Sequence, residues 1–135
     1  MSKSYSVAVV AGDGIGPEVV REGLRVLERM QRECEERPFG VLLIPDEFQV
    51  EDGLWAELAL PSLRRERPQQ LLLRERERLG IPALDLLPVL RGVPPLADGN
   101  RHLYHLRDTH WNTRGNRFAG EALAGFVRGL LGQER

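Results

Sequence analysis

The stretch VAVVAGDGIGPEVVREGLRVLE, residues 7–28, constrains the fold more than any other part of the chain. The β-branched run from Tyr5 to Ala11 stops at the turn Gly12-Asp13-Gly14-Ile15-Gly16, so it reads as a short buried strand. Pro17 suits the first turn of a helix, where a missing N–H leaves nothing unsatisfied, and Val19, Val20, Leu24, Leu27 and Met30 then recur at helical spacing. A strand that feeds through glycines into an amphipathic helix has to bury that helix on a sheet, and the usual way is a right-handed crossover to a parallel neighbour.

The rest of the chain continues the alternation. FGVLLIP, Phe39 to Pro45, is a second apolar run, closed by a proline that cannot extend a central strand. Between Asp52 and Leu79 the pattern is helical in two pieces, DGLWAELAL and RPQQLLLRERERLG, interrupted by Pro61 and Pro68 and ended by Gly80. Ala83 to Leu86 reads as a third short strand, and Gly92 to Arg101 is loop chemistry throughout. Phe118, Ala122, Leu123, Phe126, Val127, Leu130 and Leu131 mark a final helix with Asn112 or Thr113 as its N-cap. This pattern predicts a single three-layer α/β domain over residues 1–135 with a mainly parallel sheet and no internal repeat.

Charge excludes some partners. With 19 Lys and Arg against 20 Asp and Glu, the chain offers no basic field to nucleic acid or to an anionic membrane. Cys34 is the only cysteine, so no intramolecular disulfide forms, and it lies in the charged run QRECEERP as a bystander thiol. The N-terminal apolar run is too short for a signal peptide and no segment reaches the length of a membrane span, so a soluble cytoplasmic chain is expected.

The chemistry concentrates in YHLRDTHWNTRGNRFAGEALAGF, Tyr104 to Phe126. A His works as a general base near neutral pH when a carboxylate fixes its tautomer, and Asp108 is close enough in sequence to do this for His110. The competing reading has Asp108 capping the next turn and His110 filling a polar gap at the helix start. His102, His105, Asp108 and His110 fit no dedicated zinc spacing, so no metal is expected. Trp111 and Trp55 read as packing residues, Asp46 as a cap rather than one of a cleft-facing pair with Glu47, and Asp85 as a partner of either a nearby amide or His110.

LYHLRDTHWNTRGNRFAGEALAGFV, with VLLIPDEFQV and GIPALDLLPVL upstream, resembles the C-terminal half of SGNH (GDSL-type) hydrolases over roughly Pro38 to Leu131. The resemblance implies a flavodoxin-like fold, a Ser-His-Asp triad completed by Asp108 and His110, and action on a small ester or an acetylated carbohydrate. That family's serine follows the first strand, where this chain has Gly12-Asp13-Gly14, so the nucleophile position reads Gly14. The expectation is an esterase or deacetylase relative that is impaired or inactive unless Ser2, Ser4 or Ser6 substitutes.

VAVVAGDGIGPEVVREGLRVLE is similar to the opening of the isopropylmalate and isocitrate dehydrogenase family, whose first strand ends in G-D-G-I-G-P-E. That resemblance implies a loop, Gly12, Asp13, Gly14 and Gly16, beside a cofactor cleft. The two likenesses meet near QRECEERPFG, which suggests a chimera of a dehydrogenase-like unit, residues 1–37, and a hydrolase-like remainder, residues 38–135, with no cofactor expected. The alternatives are a non-catalytic binding or scaffold domain and a dehydrogenase-derived nucleotide-binding fragment. An exposed apolar helix face would point to a homodimer.

Overall fold

A computed structural model describes residues 9–11, 17–59, 61–106 and 108–132, with side chains from residue 21 onward. Strands β1 (Val9–Ala11), β2 (Val41–Ile44) and β3 (Ala83–Asp85) form a parallel sheet in chain order, with β2 in the middle. Val9, Val10 and Ala11 stand opposite Leu42, Leu43 and Ile44, so the carboxyl ends of β1 and β2 lie side by side. Helix α1 (Pro17–Cys34) crosses from β1 to β2. Then α2 (Glu47–Val50), α3 (Asp52–Glu57) and α4 (Arg67–Arg78) lead to β3, and α5 (Leu86–Arg91) and α6 (Thr113–Gly132) follow it.

Alternate residues of a strand point to opposite faces, and β2 shows the consequence. Val41 and Leu43 are buried on one side with Leu27 of α1 and Ile81, against Leu72 and Leu73 of α4. Leu42 is buried on the other with Leu86, Leu87 and Leu90 of α5 and Ala119 of α6, while Ile44 and Phe118 pack on the margin of that cluster. Each Leu fully withdrawn from water contributes about 1.5–3 kcal/mol, and a strand apolar on both faces realises this only between two helical layers. The α/β expectation therefore holds. The flavodoxin-like order is different, because it sets β1 between β2 and β3, whereas β2 holds that central place among the described strands.

Local chemistry explains the boundaries. Gly80 has φ +65 after α4, the Gly80 N–H donates to the Glu77 carbonyl and the Ile81 N–H to that of Arg76, and Ile81 is buried beneath the turn. The third strand ends one residue earlier than its sequence suggests, because Asp85 accepts the Leu87 N–H at 2.9 Å and so starts α5 at Leu86. Pro88 falls in the first turn of α5, where it removes no helical bond. Asp46 begins α2 in a capping box with Gln49, whose side chain accepts the Asp46 N–H at 3.1 Å. The DGLWAELAL helix is shorter than expected, ending at Glu57, and none of its residues is fully buried.

Arg101 ties the long loop down. Its guanidinium donates to the Val50 and Arg91 carbonyls and to Asp52, and its N–H donates to Glu51 at 2.8 Å. Asp52 also pairs with Arg65 and Arg91, so one carboxylate gathers three elements, and its pKa falls to about 2 through the hydrogen bonds of Arg65 and Arg101. Among the described residues no helix is long and apolar enough to cross a membrane.

Candidate functional site

The Asp108 and His110 loop is built as a closed arm before α6. Tyr104 and Trp111 form an antiparallel bridge, the His105 N–H donates to the His110 carbonyl and the Asp108 N–H to that of His105, each at 3.0 Å. Asn112 closes the base: its amide donates to the His102 and Tyr104 carbonyls while its oxygen accepts the Arg114 and Gly115 N–H groups. Asn112 is therefore the N-cap of α6, one of the two residues expected there. The Tyr104 hydroxyl reaches across the fold and donates to the Pro45 carbonyl at 2.8 Å. Pro45 follows the last residue of β2, so this bond fixes the arm at the carboxyl edge of the sheet.

At the end of the arm Asp108 Oδ1 accepts the His110 N–H at 3.0 Å and lies 2.5 Å from His110 Nδ1. One Asp108 oxygen thus accepts the backbone N–H of the turn and lies against the ring nitrogen. The His110 ring fills no gap, for its side chain is 84% exposed. The contact from His110 holds the Asp108 carboxyl below its ordinary range. With Nδ1 against Asp108, Nε2 is the other nitrogen of an exposed ring.

Glu47 stands at the start of α2, close to this arm. Burial raises its pKa first, and the charges of Glu51, Asp46 and Asp108 add to it. The Asp46 and Glu47 pair therefore divides, with the first capping α2 and the second shifted chiefly by its own burial. Asp85 is explained by the Leu87 amide, with its pKa raised by burial against that hydrogen bond. Trp111 packs on the core as expected. Trp55 differs from its core assignment: it stacks on Phe48 with centroids 6.2 Å apart, lies under Arg65, and helps line an open groove of about 430 Å³ with Leu58, Pro61 and Leu63.

His102 pairs with Asp98 rather than with the arm, and among the described residues no group of three His, Cys, Asp or Glu side chains could hold a metal ion. Cys34 is half-buried at the end of α1. Gly12, Asp13, Gly14 and Gly16, and also Ser2, Ser4 and Ser6, lie outside the described residues. The anchoring roles of Tyr104 and Arg101 are not legible in the sequence, because Pro45, Val50 and Asp52 are remote in the chain.

The chain is similar in sequence to curated dehydrogenases. It is 50% identical over 48 residues to 3-isopropylmalate dehydrogenase of Haemophilus influenzae, covering 36% of this chain and 12% of that protein. It is 34% identical over 125 residues to 3-isopropylmalate dehydrogenase of Salinibacter ruber, covering 73% of this chain and 33% of that protein. With 3-isopropylmalate dehydrogenase of Lactococcus lactis the identity is 31% over 117 residues, 69% of this chain and 34% of that protein. The chain thus spans about a third or less of the length of these curated relatives. No family model and no solved structure matches it.

These similarities correct the functional expectation. The relatives are dehydrogenases, and nothing supports an SGNH hydrolase half or an esterase or deacetylase activity. A likeness covering 73% of the chain also runs well past residue 37, where the chimera was expected to change character. The D-x-H-W-N string misled because a carboxylate two residues before a His makes its contact locally, whatever the ancestry of the chain. Among the described residues no serine hydrogen-bonds to His110.

Proposed function

We propose that the chain is a dehydrogenase-derived fragment that binds a dinucleotide of the NAD type. The observation that carries this is the 50% identity over 48 residues to a 3-isopropylmalate dehydrogenase, together with the string Gly12-Asp13-Gly14-Ile15-Gly16-Pro17-Glu18. Glycines between a strand and a helix let a ligand approach the backbone, and the unpaired N–H groups at a helix start favour anionic oxygens. Here β1 ends at Ala11 and the 18-residue α1 starts at Pro17, which brackets the proposed contacts Gly12, Asp13, Gly14 and Gly16. The dinucleotide would supply hydride chemistry when bound, while this chain's own part is binding.

Asp108 and His110 belong to the same proposal. The arm is anchored at Pro45, just after β2, and β1 and β2 end side by side, which supports a reading in which the arm and the segment 12–16 that follows β1 serve one ligand. His110 Nε2, with the ring held by Asp108, offers one oriented hydrogen bond to the ligand. The test is thermal unfolding with increasing NAD. A ligand that binds only the folded state raises apparent stability by about 2.7 kcal/mol at 100 times its Kd. Gly14→Val should abolish the rise and His110→Ala should reduce it. A folded protein whose unfolding temperature ignores millimolar NAD would refute the reading.

A further inference from the structure

Apart from the candidate site, a connected set of contacts joins the loop 94–102 to the start of α6. The Leu96 N–H donates to the Asn100 carbonyl at 2.7 Å, the Gly99 N–H to that of Leu96 at 2.9 Å, and Asp98 Oδ1 accepts the Asn100 N–H at 3.1 Å. The other Asp98 oxygen lies 2.5 Å from His102 Nε2. His102 has φ +48, a left-handed backbone that a residue with a Cβ seldom adopts without something to hold it. Its carbonyl accepts the Asn112 amide at 2.7 Å, and Arg114 donates to the Pro94 carbonyl at 3.0 Å. Both ends of the loop therefore rest on the cap and first turn of α6, two residues beyond His110.

We propose that the Asp98 and His102 pair is a proton-operated strap: protonated His102 draws the loop onto Asn112 and α6, and neutral His102 lets it loosen. Among the described residues three charged groups act on the imidazole. Asp98 in the loop, through its hydrogen bond and its charge, and Glu51 between α2 and α3 favour the imidazolium, while Arg114 of α6 opposes it. The balance raises the His102 pKa above 6.5 and lowers that of Asp98 to about 2. A raised folded-state value means that the strap contributes fully below 6.5 and is lost as pH rises through the folded-state pKa. The change reaches the candidate site because Asn112 holds the carbonyls of His102 and Tyr104 with the same amide group.

The test is a heteronuclear NMR titration from about pH 5 to 9, a range that brackets His protonation. The His102 ring should titrate above its ordinary value, and the amides of Gly99 and Asn100 and the side-chain amide of Asn112 should follow the same inflection. In Asp98→Asn the ring should return toward the ordinary value, with the loop inflection lost and the rest of the spectrum unchanged. His102→Gln keeps a donor that cannot be protonated, so its loop amides should show no inflection. An ordinary His102 pKa in the wild type, loop amides that do not follow the ring, or an inflection that survives in His102→Gln would overturn the proposal.

Discussion

Replacing Gly115 with alanine tests how tightly the arm and α6 are joined. A Cβ built there would sit 2.1 Å from the Leu103 carbonyl oxygen and 3.1 Å from both the Leu103 carbonyl carbon and Trp111 Cβ. Carbon atoms in favourable contact are about 3.5 Å apart, so the helix or the chain at Leu103 must withdraw by roughly 1 Å. The obstacle is backbone, and Leu103 is fully buried, so no flexible side-chain end can give way. Overpacking of this kind costs about 1–3 kcal/mol and sometimes more, against a gain of about 1 kcal/mol from alanine's better helix propensity. The control is Gly120→Ala in the same helix, where nothing lies within 4 Å, and which should stabilise by about 0.5–1 kcal/mol. Urea unfolding with a shared m-value measures both. The expected result is a Gly115→Ala protein less stable than Gly120→Ala by about 0.5–3 kcal/mol. A Gly115→Ala protein stabilised as much as Gly120→Ala would refute the close packing of α6 on Leu103.

Other substitutions probe single links. Tyr104→Phe leaves the Pro45 carbonyl without its donor and should cost about 1–2 kcal/mol in urea unfolding. Asp85→Ala removes the cap of α5 and should cost about 1 kcal/mol, with amide exchange near Leu87 speeding up first. Asp52→Asn should destabilise at pH 7 by no more than about 1 kcal/mol, because the carboxylate is half-exposed. The folded-state pKa of Asp52 is lowered to about 2 from 3.8, so that difference is present above 3.8 and disappears as pH falls through 2, which unfolding midpoints measured across that range will show.

What the sequence made legible was local and periodic. The run Val41 to Ile44 is apolar at every position, which is enough to infer a strand covered on both faces. Gly80 and Asn112 are turn and cap chemistry readable from residue type alone. The start of α5 was obscured because Leu86 to Leu90 is apolar at nearly every position, and only the bond from Asp85 to Leu87 decides between strand and helix. Strand order was not readable, since three short apolar runs carry no record of which is central. Arg101 reaches Asp52 and Tyr104 reaches Pro45, 49 and 59 residues away, and no local pattern announces such contacts.

The same distinction separates what is accidental from what is informative in the candidate site. Asp108 and His110 touch because one carboxylate oxygen two residues back can accept both the backbone N–H and the ring Nδ1, so their contact would survive in many unrelated loops. The place of the pair in the fold is not local. It depends on the Tyr104 hydroxyl at Pro45, on Asn112 beneath the arm, and on Gly115 letting α6 come close to Leu103. Loss of the Tyr104 hydroxyl should therefore weaken NAD binding more than it disturbs the Asp108 and His110 contact, because it frees the arm from the edge of the sheet while leaving its internal bonds intact. If Tyr104→Phe left the affinity unchanged in a folded protein, the imidazole would have no part in binding, and the glycine turn after β1 would carry the ligand alone.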